Sequence, residues 1–462
     1  MSPAPVQVPD DEALVGLLAA WLPGRRWFPV KGSVAELGAA GGLTLVDPRG
    51  EAAVRILFVR AVAPGIDTVL QVPVTLRAAG ADEDAGGPAV IGTTGAPAVL
   101  VRDGCGDPAF LRAWLAVADG PGGDVDPDHP RVLTGEQSNT SVVLPAAPDP
   151  DGGPPHPAAI LKVFRALSPG DNPDVDVPRA LAADGWTHVP RPLGWLEGRW
   201  PDRGATAEGH LAVLSQFVDG AEDGFELACA MAGRGESFAP LARDLGMVVA
   251  GMHAALADAL PVEPPAATVD RASSVAQAVR DRYRWAATAV PALEQYAHAV
   301  EELAARTQHL TDLPLPQRIH GDLHLGQALR AHGEWFVTDF EGEPLAPVAA
   351  RTRPDLALRD VAGMLRSFDY AAAVGTAGSA VGADDARSWA DDARAALLEG
   401  YRDEVLRASA ERHDAPPVDV ASRSALLRAL ELDKALYEAV YEARNRPTWL
   451  DIPLRGVERL LD

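Results

Sequence analysis

The sequence predicts an α+β protein of two lobes, β-rich in its first half and helical in its second. Three observations carry this. Apolar, β-prone runs gather before residue 218, and Ala, Leu, Glu and Arg recur at helical spacing from about Leu227 onward. A short β-prone insert, Gln317 to Phe340, interrupts the helical half.

The chain begins with a short helical pattern from about Leu14, followed by β-like segments such as Ala53–Val59 and Val69–Val74. The glycine-rich run Ala78 to Gly87 reads as a linker, and Asp107 to Val117 as a short amphipathic helix. Thr140–Leu144 and Ala158–Phe164 read as two strands of a hairpin, because the Pro-, Gly- and Asp-rich run Pro145 to Pro157 can continue neither. The expected divisions are 1–90, a β-rich N-terminal unit; 91–218, the remainder of the β-rich half; and 219–462, the helical lobe.

Composition excludes several classes. With 462 residues and 47% hydrophobic content the chain can bury a large core. Its apolar runs are too short and too interrupted to cross a bilayer. The N-terminus meets Asp10, Asp11 and Glu12 without a basic-then-apolar leader, so a cytoplasmic location is expected. Two cysteines, Cys105 and Cys229, provide neither a disulfide framework nor a cysteine-based zinc site. A formal net charge of −24 opposes binding to nucleic acid or an anionic membrane. Any phosphate chemistry must therefore rest on local cations and a metal ion.

The most informative segment is Gln317-Arg-Ile-His320-Gly-Asp322-Leu-His324-Leu-Gly-Gln327, followed by Trp335-Phe-Val-Thr-Asp339-Phe-Glu341. Ala331-His332-Gly333-Glu334 is a turn between two β-prone runs, so the segment folds back and draws Asp322, Gln327 and Asp339 towards one point. Phosphoryl transfer needs a carboxylate at the acceptor hydroxyl and separate oxygen ligands for Mg²⁺. Asp322 suits the first role, Gln327 and Asp339 the second. His320 and His324 are expected to brace the loop or touch substrate, and Glu341 joins His324 as an acceptor-binding candidate. A His-x-Asp-x-His string also occurs at metal-hydrolase sites; the Asp-Phe-Glu following a strand decides against that reading.

A triphosphate also needs a cation and a covering loop. Lys162, inside the apolar strand Ile160–Phe164, is the phosphate candidate, since a lysine there needs an anionic partner. That partner is expected to be Asp176, ahead of Asp174. Gly135 to Ser141 supplies small hydroxyl side chains and backbone N–H groups, and is either the covering loop, with Ser138, Asn139 and Thr140 as the nucleotide contacts, or an ordinary turn. The run Val213–Val218 is the expected hinge, meeting adenine through the backbone around Gln216 and Val218. On the last long helix, Tyr437, Glu438, Tyr441, Glu442 and Arg446 are acceptor candidates, with Trp449 nearby. The same residues contain i,i+4 pairs, Lys434 with Glu438 and Glu442 with Arg446, that equally describe a solvated face.

The loop His320-Gly-Asp322-Leu-His324, then Gln327 and Asp339-Phe-Glu341, resembles the catalytic and metal-binding loops of aminoglycoside-phosphotransferase-like, protein-kinase-like enzymes. Glu136-Gln-Ser-Asn-Thr-Ser141, Leu161–Arg165, Arg359–Phe368 and Leu432–Pro447 with Trp449 together resemble the actinobacterial maltokinases, as do Trp21-Leu-Pro and Arg26-Trp-Phe more loosely. The resemblance implies a bilobal kinase fold with an N-terminal cap subdomain, Asp322 as base, and Asp360 as a brace of the catalytic loop. It further implies ATP- and Mg²⁺-dependent phosphorylation of maltose at its anomeric hydroxyl. The product, maltose 1-phosphate, would feed α-glucan (glycogen) synthesis, with a functional link to trehalose synthase and maltosyltransferase. Glucosamine kinase and aminoglycoside phosphotransferase are the alternatives on the same scaffold, followed by an inactive kinase-like binding module.

Overall fold

A computed structural model describes residues 8–79, 89–134, 138–148, 157–263, 270–311, 313–342, 351–412 and 420–462. The Ala78–Gly87 linker, Gly135–Gln137 and Glu343–Pro344 fall wholly or mostly outside these. The chain forms two compact units: residues 1–179 with 190–219, and residues 180–189 with 220–462.

The first unit opens with helix α1 (Asp11–Trp21). Asp10 caps it by accepting a hydrogen bond from the Ala13 amide, and Leu14, Val15, Leu18 and Trp21 form its buried stripe. Strands β1 (Glu36–Val46), β2 (Ala53–Ala63), β3 (Ile66–Ala78), β4 (Val90–Thr94) and β5 (Val99–Asp103) build an antiparallel sheet in the order β1-β2-β3-β5-β4. The division expected at residue 90 falls inside this sheet, because β4 and β5 close it. Helix α2 (Pro108–Leu115) follows, started by Asp107 as cap and by Pro108.

A second sheet, ordered β10-β11-β8-β7-β6, comprises β6 (Arg131–Val132), β7 (Asn139–Leu144), β8 (Ala159–Phe164), β10 (Pro192–Asp202) and β11 (Ala205–Gln216). The two-residue β9 (Ala166–Leu167) pairs with β3. One core joins both sheets through Phe58, Phe110, Trp114, Leu161, Trp200 and Leu211. Gln71 is buried within it and donates to the carbonyls of Phe164 and Leu211, so its amide is satisfied by linking the sheets. Helix α3 (Pro173–Ala183) belongs to this unit through Arg179.

The second unit is helical around a small sheet. It contains β12 (Glu222–Asp223), α4 (Gly224–Arg234), α5 (Ala239–Ala259), α6 (Arg271–Ala289) and α7 (Ala297–Gln308). Strands β13 (Ala328–Ala331) and β14 (Glu334–Val337) come next, then α8 (Leu358–Gly375), α9 (Ala383–Arg412), α10 (Val420–Asn445) and α11 (Asp451–Leu461). Val279, Leu293, Leu303, Leu436, Val440 and Val457 pack α6, α7, α10 and α11 into one core. None of the described helices is long and apolar enough to cross a membrane. Cys105 is buried and Cys229 half-buried.

Candidate active site

The hairpin expected from Ala331–Glu334 is present. Strands β13 and β14 pair from Ala328↔Val337 to Ala331↔Glu334, and His332 and Gly333 turn the chain with φ of 52° and 81°. Positive φ at both central residues is the signature of the two-residue turn that matches strand twist. At the open end, the Thr338 amide donates to the Gln327 carbonyl at 2.9 Å. The Gln327 side chain therefore meets Asp339, with Nε2 3.1 Å from Oδ2. Asp339 itself has φ of 62°, a left-handed conformation uncommon for a non-glycine residue.

The preceding loop is fixed by buried groups. Asp360, in the first turn of α8, accepts from the backbone amides of His320 at 2.8 Å and Gly321 at 2.9 Å, and pairs with His253 Nε2 at 3.1 Å. Burial opposes the Asp360 charge, yet His253 and the loop donors hold its pKa below the ordinary 3.8. His320 Nε2 lies 3.0 Å from the Thr338 carbonyl and its Nδ1 accepts from the Asp322 amide at 3.4 Å, which assigns the proton to Nε2. His320 thus ties the loop to the hairpin. Ser367 on α8 accepts from the Leu325 amide, and Gly363 lets α8 pass so close that a Cβ there would sit 2.5 Å from the Leu323 carbonyl oxygen.

Asp339 and Gln327 offer a hard, all-oxygen donor pair once the Gln327 amide turns its oxygen towards the carboxylate. Two such oxygens 3.1 Å apart match the edge of an octahedron with ~2.1 Å bonds, roughly 3 Å, which suits Mg²⁺. The turned amide would also present its oxygen to His324 Nε2, now 3.5 Å from Gln327 Nε2. That nitrogen carries the proton, since His324 Nδ1 accepts from the Gly326 amide. Burial pushes the His324 pKa down and keeps the ring neutral.

Asp322 meets a cation that sequence reasoning placed elsewhere. Lys434 on α10 reaches Asp322 Oδ1 at 3.1 Å, whereas Glu438, its expected i,i+4 partner, is held by Arg366 at 2.8 Å. Burial raises the Glu438 pKa despite Arg366 and Lys434, and the nearby Asp369 carboxylate adds to the rise. Glu442 is buried, bound by Tyr370 at 3.2 Å and by Arg446 at 2.6 Å. Lys434 and Glu438 are therefore not the i,i+4 pair of a solvated face, whereas the Glu442–Arg446 pair forms as expected but with Glu442 buried. Tyr437 lies between Trp285 and Tyr441 in a row of nearly parallel rings, with centroid spacings of 6.2 and 6.5 Å. Arg446 covers the Trp449 ring at 4.3 Å. Glu341 lies 3.8 Å from Arg351.

A cavity of about 540 Å³ opens beside Gly321, next to Asp322. Arg282, Arg351, Arg353 and Arg359 line it, against Asp281, Asp355 and Asp433, with Trp285 as its aromatic wall. Despite the acidic chain, more of the described lining side chains are positive than negative.

The nucleotide candidates lie in the first unit, and here two expectations are corrected. Lys162 pairs with Asp174 at 2.8 Å, not with Asp176, which is bound to Arg179. Asp174 and Asp176 are two residues apart on a helix, so they project about 200° apart and only one can meet the strand. Thr140 is the second. Successive residues of a strand alternate faces, so Thr140 shares the core face with Val163, its partner on β8, and accepts from buried Arg165 at 2.8 Å. The residue directly opposite Lys162 is Ser141. Asn139 lies on that face too, donating to Ser138 at 3.3 Å. At the end of β11 the Gln216 amide donates to Arg191 and the Phe217 amide to Ala158; Val218 is buried.

Together, a β-rich unit with a paired lysine on a strand and a helical unit with an aspartate-bearing hairpin define a small-molecule kinase of protein-kinase-like fold. The family model of the maltokinase N-terminal cap domain matches residues 21–107. A glucosamine kinase of Mycolicibacterium smegmatis is 30% identical over 346 residues, 72% of this chain and 79% of the relative. Another, of Streptacidiphilus jiangxiensis, is 31% identical over 299 residues, 61% of this chain and 64% of the relative. A crystal structure of a glucosamine kinase superposes with a TM-score of 0.65 at 25% identity, covering 98% of this chain and 99% of that one. A complex of glucosamine kinase with glucosamine, ADP and inorganic phosphate superposes over both full chains, with a TM-score of 0.61 at 24% identity. The chain belongs to the family of the Mycolicibacterium smegmatis glucosamine kinase and is an ATP-dependent sugar kinase.

Proposed function

We propose that this kinase phosphorylates maltose at the anomeric hydroxyl, giving maltose 1-phosphate, with Mg²⁺ as the activating ion. The observation that carries this reading is the 540 Å³ cavity beside the catalytic loop. It lies within the usual size range of small-ligand sites and leaves room beyond a single pyranose ring. Among the described lining residues four arginines stand against three aspartates, which favours a neutral, hydroxyl-rich sugar over a protonated aminosugar. The C-terminal run Leu432–Pro447 and the cap model support the same substrate.

In this reading Asp322 accepts the proton of the acceptor hydroxyl, while Lys162, placed by Asp174, binds the nucleotide phosphates. Gln327 and Asp339 would hold Mg²⁺, which supplies charge neutralisation on the transferring phosphoryl group. His320 and Asp360 keep the loop in register. Ser138, Asn139 and Ser141 approach the phosphates, and Gln216 and Val218 the base. The acceptor rests against Trp285, Tyr437 and Tyr441.

Glucosamine is the second reading, favoured because both relatives are glucosamine kinases. Initial rates with maltose and glucosamine, with the product analysed by ³¹P NMR, separate the two. The expected result is an anomeric phosphate on maltose at a kcat/KM at least tenfold, roughly 1.4 kcal/mol in transition-state stabilisation, above that for glucosamine. A higher kcat/KM for glucosamine would overturn the maltose assignment and leave the kinase assignment intact.

A further inference from the structure

The ion pair between Lys434 and Asp322 joins residues 112 positions apart. It is not a loose surface contact: the two side chains are only 27% and 18% exposed. The neighbouring residue, Asp433, is clamped by Arg359 at 2.8 Å and Arg282 at 3.2 Å, which fixes α10 where Lys434 leaves it. The Lys434 ammonium also lies 5.5 Å from the Tyr437 ring centre, one turn along the same helix. The ammonium is therefore held on both sides, by a carboxylate and by an aromatic face.

We infer that Lys434 is a positioning residue for the transfer step, an inference that rests on Asp322 being the acceptor base. Its ammonium holds Oδ1, and Oδ2, which has no hydrogen-bond partner among the described residues, is left to take the proton. In the step, the acceptor oxygen forms its bond to the γ-phosphorus as its proton passes to Oδ2. The bond from that phosphorus to the β–γ bridging oxygen breaks, and ADP leaves with the electron pair. Without the ammonium, the carboxylate is free to rotate about its side-chain bonds and loses the orientation on which proton transfer depends.

The test measures kcat, acceptor KM, ADP affinity and Tm for K434M, K434R and D322N. K434M is expected to lose about a hundredfold in kcat, with acceptor KM, ADP affinity and Tm close to wild type, and K434R to recover at least tenfold of the loss. D322N/K434M should be no slower than D322N, because the lysine acts through the aspartate. If K434M does not fold, K434Q carries the same measurement. A kcat for the neutral variants within twofold of wild type, or a loss confined to acceptor KM, overturns the inference while an inactive D322N leaves the base assignment standing. Wild-type turnover by D322N would instead remove the base assignment itself.

Discussion

At the scale of single residues, the site depends on which of several similar side chains faces which partner. Lys162 meets Asp174 while Asp176 turns to Arg179, so the two aspartates have different consequences when removed. If Lys162 binds the nucleotide phosphates as proposed, D174A frees its ammonium and is expected to weaken ADP binding about tenfold, or roughly 1.4 kcal/mol, whereas D176A stays within twofold. Isothermal titration with ADP checks both; equal losses would contradict the assignment of Asp174. These two carboxylates were indistinguishable in the sequence by residue type. Only the start of α3 at Pro173 decides which one faces the strand. Ser141 and Thr140 differ in the same way, through a strand register that depends on β8. Lys434 was legible as a helix residue but not as a partner of Asp322, because i,i+4 spacing offered Glu438 and the true partner comes from a distant loop.

At the scale of elements, what the sequence revealed best was what is encoded locally. The β13–β14 hairpin followed from a four-residue turn and two short apolar runs, and it alone brings Gln327 to Asp339. The β7–β8 hairpin followed from the chain-breaking composition between its strands. The close passage of α8 over the catalytic loop had no such signal, although Gly363 marks it in retrospect. A methyl group there would meet the Leu323 carbonyl oxygen at 2.5 Å, and the α8 backbone or the loop must shift. Overpacking of this kind costs about 1–3 kcal/mol, more than the ~1 kcal/mol that alanine gains over glycine in a helix. G363A is therefore expected to lower Tm by up to about 4 °C and to reduce kcat as the His320–Leu323 backbone moves. A variant with unchanged Tm and kcat would show that α8 does not set the loop position.

At the scale of the whole molecule, the charge distribution is uneven. A net charge of −24 coexists with four arginines lining the cavity beside Gly321 and with Lys162 on its strand, local cations that the overall composition conceals. The acidity of the chain, read alone, would have suited a cationic acceptor; the proposed maltose is neutral. The division into a β-rich and a helical part was legible from periodicity, whereas the first sheet's extension to Asp103 depended on long-range pairing of β5 with β3. On the proposed function Asp322, in the loop braced by His320 and Asp360, is the base for sugar phosphorylation. Its most direct test is the turnover of D322N beside its ADP affinity and Tm. A rate at least about a hundredfold below wild type with nucleotide binding and stability unchanged is expected, and a D322N enzyme turning over sugar at the wild-type rate would remove Asp322 from that role.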